Sequence, residues 1–159
     1  MKEILKILEN DCRTTPAQIA AMLGMTEEAV KAEIERLEKE EVLLGYKALV
    51  NWDKSDKEQV TAWIEVKVTP QRGFGFDRIA ERIYQYDEVE SLYLMSGTYD
   101  LAVTVTGKTM MDISMFVAQK LSTIEGVNST ATYFIMNKYK EKGHICRALP
   151  EQEERMMFV

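Results

Sequence analysis

Residues 89–107, VESLYLMSGTYDLAVTVTG, decide the fold. On the left Val89, Ser91, Tyr93 and Met95 alternate with Glu90, Leu92 and Leu94; on the right Leu101, Val103 and Val105 alternate with Ala102, Thr104 and Thr106. A period of two in both arms predicts two strands folded back on a tight turn. That turn is Ser96, Gly97, Thr98, Tyr99 and Asp100, in which Gly97 is the residue able to take positive φ.

Outward from the hairpin, Val60, Ala62, Ile64, Val66 and Val68 alternate with polar neighbours and Trp63, predicting a first strand that ends at Pro70. Gly73 and Gly75 open a helix whose Phe76, Ile79, Ala80, Ile83 and Tyr86 keep helical spacing. After the hairpin, Thr109 and Asp112 form a capping box for a helix carrying Ile113, Phe116, Val117, Leu121 and Ile124 inward, with Gly126 ending it. Residues 127–139, rich in Thr, Tyr, Phe and Ile, read as the last strand. The order βαββαβ is a ferredoxin-like arrangement, an antiparallel sheet with both helices on one face. The other face carries Trp63 and apolar side chains, which predicts a second copy covering it.

The first fifty residues differ in kind. Ile4, Leu5 and Leu8 mark a short amphipathic helix from Lys2 to Asn10. Thr15, Pro16 and Gln18 form a capped helix start, Ile19, Ala20 and Leu23 its apolar stripe, and Gly24 its stop. Thr26 caps a third helix with Val30, Ile34 and Leu37 inward. Three helices with this punctuation predict a helix-turn-helix, or a small three-helix bundle used only for packing. The third helix sets Glu27, Glu28, Glu33, Glu35, Glu38, Glu40 and Glu41 against Lys31, Arg36 and Lys39, a poor match for phosphates. Residues 42–50, VLLGYKALV, read as a turn and a short strand leaving the helices, the wing of a winged helix-turn-helix.

The expected organisation is therefore α+β: residues 1–50 a winged helix-turn-helix, 51–59 a polar linker, 60–140 the ferredoxin-like domain, and 141–159 a charged tail ending in Met156, Met157, Phe158 and Val159. A net charge of −6 argues against coating nucleic acid by charge alone. Cys12 and Cys146 stand far apart, and a single histidine, His144, leaves neither a metal spacing nor a catalytic triad, so no metal or cofactor is expected. No apolar run approaches the roughly 18 residues of a membrane span, and residues 1–11 lack a signal segment; the expected location is the cytoplasm.

These motifs together resemble the Lrp/AsnC, or feast/famine, regulators from residue 1 to about 139. The carriers are residues 11–13, LGMT with a valine and RLE within 23–38, GY at 45–46, SGTYD at 96–100 and GVNSTATYFIM at 126–136. The resemblance implies a helix-turn-helix joined to a ligand-sensing domain, dimers formed through the sheet, and dimers assembled into larger rings such as octamers. It also implies an effector, an amino acid or close relative, at Ser96, Gly97, Thr98, Tyr99 and Asp100. There the backbone N–H groups would hold a carboxylate, Asp100 an α-ammonium, and Thr130 and Thr132 on the last strand would add hydroxyls. In DNA binding, Thr26 would lie near phosphate, with Lys31 and Arg36 as the main cations. The family usually has Arg or Lys where this chain has Glu33 and Glu35, so binding per protomer is expected to be weak. Two alternatives are a ligand-sensing interaction module without DNA and an enzyme like the sirohaem decarboxylases, which share the architecture. Those enzymes cluster histidine and arginine, whereas this chain has His144 and scattered arginines.

Overall fold

Local capping fixes the N-terminal helices. In a computed structural model describing residues 1–56, 58–70, 73 and 75–146, α1 spans Lys2–Asn10, α2 Pro16–Leu23 and α3 Glu27–Lys39. The Thr15 and Gln18 side chains close a reciprocal capping box on α2, and Gly24 ends that helix at φ +65°. The Thr26 hydroxyl accepts from the Ala29 N–H at 3.2 Å. Ile4, Leu8, Ile19, Ala20 and Val30 form the core, with Ile7, Leu23, Ile34 and Leu43 packed on it.

Residues 42–50 make no strand. The Leu43 N–H bonds back to Leu37 O and the Tyr46 hydroxyl donates to Glu38 Oε1, while Leu44, Tyr46, Leu49 and Val50 are exposed. A strand needs a ladder partner, and the described chain offers this segment none; the expected wing is absent from the single chain. The chain divides into two compact units, Met1–Val50 and Asn51–Val159.

In the second unit β1 is Val60–Val68, α4 Asp77–Tyr84, β2 Val89–Leu94, β3 Leu101–Gly107, α5 Met110–Phe116 and β4 Val127–Phe134. The sheet runs β2-β3-β1-β4, all pairs antiparallel, so the expected βαββαβ arrangement is the observed one. Ala62, Ile64, Val66 and Val68 join Leu101, Val103 and Val105 in a core closed by Ile79 and Ile83 of α4 and Ile113 and Phe116 of α5. The helix expected to run on from α5 becomes a π-type turn at Val117–Leu121.

Three further expectations change. The last strand stops at Phe134, and residues 140–146 are not tail: Lys140–Glu141 (β5) and His144–Ile145 (β6) pair across a turn with Lys142 and Gly143 at positive φ. The Asn51 amide donates to Cys146 O at 2.8 Å, tying this hairpin to the polar segment after Val50. The rest of the tail, Met156 to Val159 included, lies outside the described residues. Finally, the helix-free face is mixed rather than greasy: Trp63, Tyr93 and Tyr133 share it with Thr104, Glu65 and Lys67, and the Tyr133 hydroxyl reaches Glu65 at 3.4 Å.

Candidate functional site

The β2–β3 turn is held by its last residue. Met95 N–H donates to Asp100 O at 2.8 Å, Asp100 N–H to Val66 O at 3.1 Å, and the Asp100 carboxylate accepts from Val68 N–H at 2.9 Å. Asp100 thus replaces a ladder carbonyl and fastens the turn to the end of β1. Its second oxygen has no partner among the described residues, so half of the carboxylate remains for a ligand.

Gly97 is not at positive φ, contrary to the sequence expectation. A Cβ built on it meets nothing within 4 Å, so the glycine keeps the space above the turn open. Ser96, Gly97 and Thr98 are exposed, Tyr99 and Asp100 half-buried. The N–H groups of Ser96, Gly97, Thr98 and Tyr99 find no acceptor among the described residues. Four consecutive free amides with one free carboxylate oxygen beside them complement a carboxylate together with an ammonium.

Thr130 and Thr132 are not brought to this turn. They lie opposite Val66 and Ile64 on β4, and β1 separates β4 from the hairpin. Two strand spacings put the hairpin and β4 about 10 Å apart. Their register partners place both threonines on the helix-covered face, where the Thr130 hydroxyl lies 3.5 Å from that of Ser122. The expectation took the last strand as adjacent to the turn; in the sheet order β2-β3-β1-β4 it is not. An open groove lined by Arg82, Gln85, Tyr86, Thr123, Ile124 and Glu125 contains none of the turn residues.

On the N-terminal unit the expected DNA contacts are differently engaged. Thr26 is exposed, but its hydroxyl serves as the α3 cap. Lys31 pairs with Glu27 at 2.7 Å, which raises the lysine's pKa. Arg36 is bracketed by Glu33 at 2.8 Å and Glu40 at 2.5 Å, and its pKa is raised by those hydrogen bonds, Glu33 first. Glu33 is held below the usual carboxylate range by Arg36, with the Met1 ammonium 3.9 Å away. It is half-buried rather than one of the outward acids. Burial and then the Glu38 hydrogen bond push the Tyr46 phenol up.

Comparison with known proteins assigns both units. The AsnC-type helix-turn-helix domain matches residues 2–38 and the Lrp/AsnC ligand binding domain residues 61–145. The chain belongs to the Lrp/AsnC family. It is 52% identical over 144 residues to YugG, an uncharacterized HTH-type transcriptional regulator of Bacillus subtilis, covering 90% of this chain and 87% of that one. It is 30% identical over 139 residues to the HTH-type transcriptional regulator LrpA of Pyrococcus horikoshii, covering 87% and 96%. Among solved structures, a feast or famine regulatory protein of M. tuberculosis complexed with L-methionine superposes with a TM-score of 0.70 at 25% identity, covering 91% and 95%.

As an Lrp/AsnC regulator the chain carries a DNA-binding head and a small-molecule-sensing domain. Its head is unusual in charge: residues 1–50 hold seven lysines and arginines against ten acids. Sequence reasoning missed which α3 side chains face away from the core. With Val30 and Leu37 buried and 3.6 residues per turn, the opposite side of α3 is Glu28, Ala32, Glu35 and Lys39, all exposed. Lys31 and Arg36 fall on either flank of that line. The signal was present in the i, i+4, i+7 spacing. It was obscured by treating the acids as one solvated surface.

Proposed function

We propose that this protein binds operator DNA through paired helix-turn-helix heads and responds to an amino acid or close relative held at the turn of residues 96–100. The run of four unpartnered amides above an open Gly97, next to a half-used Asp100, carries this reading. Amides would take the α-carboxylate, the free Asp100 oxygen the α-ammonium, and the half-buried Tyr99 one wall. The related regulator crystallised with L-methionine supports that ligand class.

The functional unit is a dimer, and four such dimers close into a larger assembly whose mass in solution tests this. Two observations support the dimer: Trp63, Tyr93 and Tyr133 on the mixed helix-free face, and exposed Leu44, Tyr46, Leu49 and Val50 on a segment lacking a ladder partner among the described residues. A second copy supplies both through one two-fold operator. The protein works in the cytoplasm, where its DNA is; no helix among the described residues is long and apolar enough to cross a membrane. Its task is regulation rather than catalysis, as for the relatives named regulators.

Thermal shift against the twenty L-amino acids tests the reading, followed by calorimetry on Gly97→Trp with the amino acid giving the largest shift. A specific shift lost in Gly97→Trp supports the turn as the site. Unchanged affinity in that variant places the ligand elsewhere, and no shift with any amino acid removes the effector class.

A further inference from the structure

The outward line of α3 has an order that DNA chemistry can read. Opposite the buried Val30 and Leu37 stand Glu28, Ala32 and Glu35, with Lys39 at the helix end. In the isolated chain none of Glu28, Ala32 or Glu35 has a side-chain partner among the described residues. The cations Lys31 and Arg36 flank the line and are tied to acids of their own helix, Lys31 to Glu27 and Arg36 to Glu33 and Glu40. A recognition helix lies in the major groove with its N-terminal residues at the base edges. Here the outward line offers Glu28 and Ala32 in the N-terminal half and Glu35 one turn further on, with no guanidinium among them.

We propose that this regulator reads its operator through Glu28 and Glu35, each accepting from a cytosine N4 amine, and through the Ala32 methyl against a thymine methyl. The inference rests on the DNA-binding reading and specifies the bases it selects. Carboxylates in the major groove accept only from exposed amino groups, and cytosine N4 is the donor that geometry pairs with Glu, while a small apolar side chain fits the thymine C5 methyl. At about 1.5 Å per residue, Ala32 lies about 6 Å and Glu35 about 10.5 Å beyond Glu28 along the axis. With about 3.4 Å per base pair, the three contacts span about four base pairs in the order C, T, C. Flanking Lys31 and Arg36 are placed for the phosphates on either side, exchanging exposed carboxylate partners for phosphate oxygens. Guanine-reading arginine, the commonest specific contact, is excluded from the centre of the helix.

The test is selection of duplexes from a random library by the full-length protein and by Glu28→Ala and Glu35→Ala, followed by binding isotherms on the selected half-site. Both positions are exposed, and far-UV circular dichroism checks that the helices are retained. The wild type should enrich half-sites with C, T and C within about four base pairs. Each variant should lose roughly tenfold in discrimination at one cytosine and keep the other. Replacing the thymine by deoxyuridine should weaken the wild type but leave Ala32→Gly unaffected. A motif lacking cytosine at these spacings, or cytosines retained at full strength in both variants, overturns the proposal while leaving DNA binding intact. A wild type that enriches no sequence overturns both.

Discussion

Asp100 separates the scaffolding of the effector turn from its chemistry. Replacing it with alanine leaves the Val68 N–H, on a residue only 6% exposed, without its acceptor at 2.9 Å. A hydrogen bond to a charged group contributes about 1.5–3 kcal/mol net, and an orphaned buried donor costs about as much. The whole loss is one interaction, so Asp100→Ala should destabilise the protein by about 2 kcal/mol. Asp100→Asn keeps a neutral acceptor in place and should cost about 1 kcal/mol or less. Gly97→Ala adds a Cβ that meets nothing and leaves a φ any residue adopts, so it should stay within about 0.5 kcal/mol of wild type. Urea unfolding with an unchanged m-value measures this series. Calorimetry with the amino acid giving the largest thermal shift measures binding: Asp100→Asn should weaken it at least tenfold although its fold is nearly intact, because the amide, with its oxygen held by the Val68 N–H, would present an uncharged NH2 donor to the ammonium. Asp100→Ala as stable as wild type would refute the anchoring argument. Asp100→Asn binding as wild type does would refute the ammonium pairing.

Other perturbations test other parts of the chain. Exchanging Glu33→Arg with Glu35→Lys removes the cytosine contact proposed for Glu35 but should tighten binding to duplex of unrelated sequence and steepen its salt dependence by about 0.9 per added phosphate contact, as read by anisotropy from 50 to 200 mM salt; an unchanged slope would remove α3 from the DNA. Gly126→Ala should destabilise by about 1–3 kcal/mol, because the glycine sits at φ +94° and a Cβ there comes within 2.7 Å of Ile79 Cδ1; a neutral result in chemical denaturation would refute both the backbone-strain and the steric argument. The Glu88 carboxyl is held below its ordinary range chiefly by its hydrogen bond to Lys120. Its contribution is therefore present above the ordinary glutamate range and fades as pH falls through the lowered folded value. The stability difference between wild type and Glu88→Gln should be seen at neutral pH, shrink as pH falls below the ordinary glutamate range, and be small, since both side chains are more than one third exposed.

Legibility in the sequence followed the range of the interactions. The Thr15–Gln18 and Thr109–Asp112 capping boxes and the Thr26 cap were readable because each spans four residues, and all three close as expected. The βαββαβ order was readable because period two and period 3.6 alternate cleanly. Strand order was not: it depends on pairings between residues dozens of positions apart, and it removes Thr130 and Thr132 from the hairpin. The role of Asp100 was hidden for the same reason, since its partner is 32 residues away. Gly97 misled because an unstrained glycine looks like a strained one in sequence, and here openness above the chain is the property it supplies. Residues 42–50 carry a strand composition but find no ladder partner among the described residues. The pairing of Glu33 and Arg36 was not legible at the side-chain level. Helical spacing put both on the surface, and Arg36 is there; what spacing could not show is that Arg36, an expected DNA contact, is paired with Glu33 and Glu40 and lies against Met1, and that Glu33 is half-buried by that pairing.

That pairing bears on how a head with more acids than cations can hold DNA. If Lys31 and Arg36 are the principal phosphate contacts, one head releases about two counterions, where tight single binders release six to ten. Its affinity should be low and only mildly salt-dependent. Joining heads changes the arithmetic: once one is bound, the next sees its half-site at an effective concentration near millimolar, without a new contact. Each added weak head then multiplies occupancy, and the number joined in one assembly governs regulation more than the affinity of any one. The effector proposed for the turn would act on that number only as far as its affinity differs between assembly states. A weak head is therefore what makes such control effective, since a head that held its operator alone would be indifferent to assembly. The charge exchange at Glu33 and Glu35 probes this too: as it tightens each head on duplex of unrelated sequence, the effector's influence on occupancy of that duplex should shrink even while its binding to the turn is unchanged.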